Sequence, residues 1–507
     1  MIPLERSSGI LMHITSLPSP YGVGTLGKEA REFADFLVRT GQTYWQVLPV
    51  GPTGFGDSPY QSFSSFAGNP YLIDLDLLVE DKLLEESDYT ELDWGSDPLR
   101  VDYGKLYENK WTVLRVAYEN GYLRDLKAVG KFIREQEHWI FDYGLFMALK
   151  DYFEGKCWQD WPEDIRQREP EAMAHYHHEL RNDVNFYIYV QFLFYRQWKA
   201  FREDVNKLGI QLIGDIPIYV APDSADAWAN PDVFWLDEDK RPVCVAGCPP
   251  DYFSPTGQLW GNPLYDWDYL KKTGYRWWID RIRGVMSMFD VVRIDHFRGF
   301  EAYYAIPYGN PTAEHGKWLK GPDMALFRAI RRGLSRDVGG GSLPIIAEDL
   351  GLLTPEVQRL LEKTGFPGMK VLEFAFDSDE TNPYLPHNYH RNCVVYVGTH
   401  DNDTLKGWFT TCGQETLKKA EDYLNLTNEE GYNWGMIRGA MSSVARLSMV
   451  TMQDYLFLDT SARMNAPSSV GTNWQWRMAE DAITPELEAR IATITRRYGR
   501  TNQNIKA

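Results

Sequence analysis

The stretch Phe289-Asp290-Val291-Val292-Arg293-Ile294-Asp295-His296-Phe297 sets an arginine and an aspartate two residues apart inside an apolar, β-branched run. Such a run predicts a strand buried on both faces. Residues i and i+2 of a strand share a face, so Arg293 and Asp295 look the same way. Ionised groups are rarely placed inside unless they pair or react. A guanidinium alongside keeps a carboxylate ionised and available as a nucleophile. An isolated R-x-D is more simply a structural ion pair, so the rest of the chain has to decide between the two.

Outward from this strand, seven further runs have the same character: Ile10–Ile14, Tyr44–Pro49, Ile210–Ile218, Pro344–Leu350, Met369–Phe374, Cys393–His400 and Ser448–Leu456. Several are continuous Val/Ile/Leu-rich segments, the mark of parallel strands covered on both sides. Amphipathic helices fall between many of them, such as Lys28–Thr40 closed by Gly41 and Met324–Leu334 closed by the Gly339-Gly340-Gly341 turn. Eight strand–helix units predict an α/β fold of the TIM (β/α)8 type. An open doubly wound sheet would want a glycine-rich phosphate loop after its first strand, and Thr15-Ser16-Leu17-Pro18-Ser19-Pro20 is not one.

The whole chain, 1–507, reads as a single catalytic barrel with two interruptions in its βα loops. Residues 74–204, between the second and third strands, carry helical patterns around Leu106–Glu119, Trp139–Phe153 and Tyr187–Phe201 and are expected to form an inserted helical subdomain. Residues 223–269, between the third and fourth strands, are rich in Pro, Gly and Trp with little periodicity, and are expected to form an active-site loop or lid. Their aromatics argue against disorder.

Catalytic side chains of such barrels sit at the C-terminal ends of the strands. Asp215 ends the third predicted strand, Asp295 the fourth, Glu348 with Asp349 the fifth, and His400-Asp401 follow the seventh. Any one acid after a strand is more commonly a helix N-cap; four at one rim are not easily explained that way. Closely placed carboxyls repel, so one stays ionised while another keeps its proton near neutrality. Glycosidic bond cleavage needs that division of labour.

Composition narrows the partner. The net charge of −18 disfavours nucleic acid and gives an anionic membrane nothing to attract. With 18 Trp, 30 Tyr and 24 Phe, the chain has aromatic surface to spare for stacking on sugar rings. Five cysteines form no paired framework, as expected in a reducing compartment. Cys244 and Cys248 could be half of a zinc site, but no second Cys/His pair accompanies them, so no metal is expected. The N-terminus lacks the features of a signal or transit peptide, and no stretch is apolar enough to span a bilayer. The expected location is cytoplasmic, or plastid stroma for a mature plant-type protein.

The strings Gly214-Asp215-Ile216-Pro217-Ile218-Tyr219-Val220, Val292-Arg293-Ile294-Asp295-His296-Phe297-Arg298-Gly299, Ile346-Ala347-Glu348-Asp349-Leu350-Gly351 and Gly398-Thr399-His400-Asp401-Asn402-Asp403-Thr404 resemble the amylomaltases. These are 4-α-glucanotransferases, or disproportionating enzymes, distant relatives of the α-amylases. The similarity continues through Ile10–Pro20, Asp57-Ser58-Pro59-Tyr60-Gln61, Gly261-Asn262-Pro263-Leu264-Tyr265 and Gly471-Thr472-Asn473-Trp474-Gln475-Trp476-Arg477, in consistent order along nearly the whole chain. The resemblance implies Asp295 as nucleophile, Glu348 as general acid/base and Asp401 as a third carboxylate gripping the reacting sugar. It implies Arg293 and His400 as orienting neighbours and Tyr60 and Asp215 as further sugar contacts. The segment Tyr252-Phe253-Ser254-Pro255-Thr256-Gly257-Gln258-Leu259-Trp260 looks like a lid, with Gln258 and Trp260 as substrate contacts. Ser58, Phe55, Tyr103 and Asn473 lie in stretches similar to glucan-contacting parts of the family, although core burial is an equal reading for Phe55 and Tyr103.

The resemblance implies a cofactor-free retaining transfer of α-1,4-glucan segments. The alternatives are an α-amylase-like hydrolase using the same acids with water as acceptor, and a non-catalytic glucan-binding barrel.

Overall fold

Strands Ser7–Leu11, Tyr44–Gln46, Gln211–Ile216, Val291–Ile294, Ile345–Ala347, Gly368–Val371, Cys393–Tyr396 and Leu447–Thr451 form one parallel sheet in a computed structural model that describes residues 5–504 except 55, 251–253, 338–341, 352, 468 and 470. Taken in chain order as barrel strands one to eight, each pairs with the next from one to five and from six to eight, and the eighth pairs with the first. The remaining seam, between the fifth and sixth strands, is bridged where Ala347 N donates to Pro367 O at 3.0 Å. The sheet thereby comes round as the TIM barrel that the eight buried runs predict.

Every strand after the first is shorter than its apolar run, and the first, Ser7–Leu11, begins three residues ahead of its run. The run Met369–Phe374 passes from strand into a 3-10 turn at Leu372–Phe374, and Ser448–Leu456 passes into a helix at Met452–Tyr455. Apolar side chains continue past the strand because the turn is buried too. Helix Lys28–Arg39 stops at Thr40 and Gly41 (φ 74°), as expected; helix Met324–Gly333 ends at Leu334, and the triple glycine expected to close it lies outside the described residues.

Between the second and third strands run helices Tyr103–Glu135, Ile140–Tyr152, Pro170–Glu179 and Arg181–Lys207. The last leads straight into the third strand, and its C-terminal part packs on the barrel. Phe201 meets Trp45 edge-on at 5.5 Å, and Trp198 meets Phe289 at 5.2 Å. The helices thus share the barrel's continuous core.

The segment 223–269 departs from the loop read in the sequence. It contains strands Cys244–Cys248 and Gln258–Pro263, which join Ala302–Pro307 and Lys317–Lys320 in an antiparallel sheet of order Gln258–Pro263, Cys244–Cys248, Ala302–Pro307, Lys317–Lys320. The strands are short, mixed in polarity and bulged near Val245, so no alternation betrays them. Cys244 and Cys248 sit at opposite ends of one strand, about 14 Å apart at ~3.4 Å per residue, too far to share an ion. Among the described residues no cluster of three His, Cys, Asp or Glu could hold a metal.

At the opposite face of the barrel, Arg500 is fully buried. Its guanidinium donates to the carbonyls of Ser7, Met441, Ser443, Ala445 and Arg446, tying the segment after the last helix to the first and eighth strands.

Candidate active site

Strand register assembles the centre. Asp215 and Arg293 are register partners on the third and fourth strands, so their side chains point to the same face side by side. Arg293 donates through Nη1 to Asp215 Oδ2 at 2.6 Å and through Nη2 to Asp295 Oδ1 at 2.8 Å. Burial opposes the guanidinium's charge, but Asp215 and Asp295 more than reverse that and hold it a cation. The Asp295 side chain is 31% exposed, so one face of this carboxylate stays open to the barrel mouth.

After Asp295 the chain turns abruptly. His296 takes left-handed backbone angles (φ 53°, ψ 49°), an unfavourable conformation for a non-glycine residue. The turn aims its N–H at Glu348 Oε2, at 2.7 Å, while Leu350 N donates to Glu348 Oε1 at 2.6 Å. Glu348 is half-buried by area yet enclosed by protein. Burial first, then the charge of Asp295, pushes its carboxyl up to about 8 against the pull of Arg293 and the two N–H donors. Burial also lowers His296, to about 4, so its imidazole is neutral.

A second arm crosses the mouth. Tyr60 donates to Asp215 Oδ2 at 2.8 Å, and its hydroxyl lies 2.8 Å from His400 Nε2. The two rings stack at 5.3 Å. His400 Nε2 is 3.3 Å from Asp401 Oδ2. Arg463 donates to Asp401 O at 2.6 Å and Asn465 Nδ2 to Asp401 Oδ1 at 2.7 Å. A hydrogen-bonded chain therefore runs Asp295–Arg293–Asp215–Tyr60–His400, and Asp401, held by Asn465, stands next to its end.

The remaining predicted site residues distribute unevenly. Trp260, half-buried, meets the His296 ring edge-on at 4.7 Å and donates through Nε1 to Gln258 Oε1 at 3.1 Å, which places this pair beside the centre. Ser58 Oγ accepts from Tyr60 N at 3.3 Å and shapes the turn that presents Tyr60. The Asn473 amide is engaged within its own loop, with Ala466 and Ser469. Tyr103 lies in the wall of a 1470 Å³ cavity between the helical insertion and the 52–71 loop, a wall to which none of the three acids contributes, and donates to Trp474 O at 2.8 Å. Phe55 and the lid residues 251–253 lie outside the described residues.

Two residues given no role in the sequence reading join the site. Trp474 packs near Tyr60 and His400, with ring centroids at 5.8 and 6.2 Å; the Gly471–Arg477 string contained it, which was a usable signal. Asn465 had none, because it lies outside every string and meets Asp401 only in the folded chain.

A (β/α)8 barrel with carboxyls of unlike environment gathered at the carboxyl ends of its strands defines a carbohydrate-active barrel enzyme. The sequence profile of the 4-alpha-glucanotransferase family matches residues 12–483. The 4-alpha-glucanotransferases of Clostridium butyricum and Thermus thermophilus are 52% and 49% identical to the chain, covering 96% and 97% of it and 100% and 98% of their own lengths. The amylomaltase of Streptococcus agalactiae, solved in complex with acarbose, superposes with a TM-score of 0.95 at 44% identity, over 98% of this chain and all of that one. The chain belongs to the 4-alpha-glucanotransferase family.

Proposed function

We propose that the enzyme transfers α-1,4-glucan segments from a donor to the 4-hydroxyl of an acceptor glucan or glucose by two successive displacements, with Asp295 as nucleophile, Glu348 as acid/base and Asp401 as the third carboxylate. The observation that carries this reading is the contrast between the first two. Asp295 has a guanidinium on one oxygen and an open face, whereas Glu348 is held in the protonated range by burial and by Asp295 itself.

In the first step the Asp295 carboxylate attacks the anomeric carbon while the Glu348 proton passes to the departing glycosidic oxygen. The products are a β-glycosyl ester on Asp295 and a shortened glucan. Glu348, now a carboxylate, takes the proton of an acceptor 4-hydroxyl as that oxygen displaces Asp295, and the α-linkage is restored. Asp401 holds hydroxyls of the reacting sugar and stabilises oxocarbenium charge. Arg293, Tyr60, Asp215 and His400 orient the centre, and Gln258 and Trp260 contact the glucan from one side. We assign residues 74–204 and 223–269 to shaping the glucan cleft around the barrel, with Ser58, Tyr103 and Asn473 on its walls. Cytoplasmic residence fits the free thiols of Cys157, Cys393 and Cys412.

Incubation with maltotriose tests the reading. Transfer yields glucose and a ladder of longer maltooligosaccharides at constant total reducing ends. Rising reducing ends identify a hydrolase, and an unchanged substrate a binding protein.

A further inference from the structure

We infer that Asn465 is a positioning residue for Asp401, fixing the direction of its carboxylate through a single donated hydrogen bond. The inference rests on the proposed role of Asp401.

Asp401 follows the seventh strand and Asn465 lies in the loop after the eighth, so the contact links two neighbouring βα loops across the mouth. The segment 463–465 holds the loop of Asp401 in two separate ways. Its main grip is on backbone: Asn465 N donates to His400 O at 3.0 Å, and Arg463 Nη2 to Asp401 O at 2.6 Å. Arg463 also donates through Nε to Asn465 O at 2.8 Å, which stiffens the segment itself. These bonds seat the loop without any help from the Asn465 side chain. Among the described residues, the side chain adds one bond, from Nδ2 to Asp401 Oδ1 at 2.7 Å.

A carboxylate can only accept, so the amide must present its NH2 and not its oxygen, and the orientation of Asn465 is fixed by chemistry. The other oxygen, Oδ2, faces His400 Nε2. Tyr60 gives its one hydroxyl proton to Asp215, so the His400 Nε2–H points at the Tyr60 oxygen, and the bond from Asn465 is what restrains rotation about the Asp401 Cβ–Cγ bond. A 42%-exposed carboxylate otherwise turns freely in solvent. A group that must meet sugar hydroxyls in one geometry gains from that restraint. Because the backbone clamp is independent, removing the amide leaves the loop seated and releases only the carboxylate.

Asn465→Asp is the decisive variant. It is isosteric, fills the same space and turns a donor into a second carboxylate facing Oδ1, a like charge. In the intact enzyme acting on maltotriose, we expect kcat to fall about tenfold in Asn465→Ala and about a hundredfold in Asn465→Asp, with KM and melting temperature near the parent's. Parental kcat in both folded variants overturns the inference, as does a rise in KM at constant kcat, which makes Asn465 a substrate contact. Should the alanine variant fail to fold, the isosteric variant decides alone. Asp401→Asn separates the two levels. If it keeps near-parental activity, the role of Asp401 fails; if it is crippled while both Asn465 variants are normal, only the present inference fails.

Discussion

Arg293 and Asp215 face each other at 2.6 Å across the third and fourth strands, with 3% and 0% of their side chains exposed. A pair so sealed contributes little net stability, because desolvation offsets the attraction, but removing one partner strands the other. We predict that Arg293→Met destabilises the fold by about 3–5 kcal/mol in urea unfolding and abolishes transfer. Adding Asp215→Leu should recover much of the stability and none of the activity. Recovery of both would make the pair a structural element only.

Asp295→Asn keeps the shape of the side chain and removes its nucleophilicity. The expected outcome is a folded enzyme that still binds glucan and has lost transfer. A loss of less than about tenfold in kcat/KM, roughly 1.4 kcal/mol in barrier, would remove Asp295 from the nucleophile's role.

Glu348→Gln should discriminate between leaving groups. An activated α-glucosyl fluoride scarcely needs a proton, whereas a glycosidic oxygen does. The variant is therefore expected to accumulate a glycosyl ester on Asp295 from the fluoride, visible as a mass increment on the intact protein. Unmodified protein while fluoride is released would contradict the assignment.

The same carboxyl links stability to pH. Its folded value of about 8 lies well above that of an exposed glutamate. Between roughly 4.5 and 8 the folded enzyme holds a proton that the unfolded chain has given up, so the contribution is complete below that window and is lost as pH rises through it. Thermal melts of parent and Glu348→Gln should diverge with rising pH, the variant becoming relatively more stable up to about pH 8, with no further divergence above. Transfer should fall as pH rises through about 8, where the folded enzyme's acid loses its proton. Parallel stability curves from pH 5 to 9 would refute the shift.

Trp260 bears on the choice between transfer and hydrolysis. Its ring stands edge-on to His296, whose N–H in turn holds Glu348. A ring stacked under an acceptor sugar contributes on the order of 1 kcal/mol and keeps water from the ester. We expect Trp260→Ala to raise the hydrolysis-to-transfer ratio on maltotriose while cleavage persists. An unchanged ratio in a folded variant would return Trp260 to a packing role.

The barrel was legible because eight parallel strands covered on both faces leave eight apolar runs, and their C-terminal acids are visible as interruptions. The Arg293–Asp295 pairing follows from period-two geometry alone. The second carboxylate on Arg293, Asp215, is 78 residues away in sequence, and Tyr60 lies 155 residues from Asp215 and 340 from His400. Such contacts are set by register around the barrel, which no local pattern encodes. The antiparallel sheet built on Cys244–Cys248 was hidden by short strands without alternation. Asn465 was hidden because an amide in a polar loop has no distinguishing neighbourhood until the loop meets Asp401.

The first strand finds one of its two neighbours only at Leu447–Thr451, and Arg500 fastens that seam. A ribosome must read past residue 451 before this edge can be covered, on the order of tens of seconds after the strand emerges. Throughout that time the nascent sheet carries an unpaired edge open to other chains, and the pairing that ends it has one of the longest sequence separations the molecule offers, which slows closure further. Asp401 and Asn465 straddle the last strands to arrive. With Asp401 before the eighth strand and Asn465 after it, the complete catalytic centre can exist only once that strand has docked against the first.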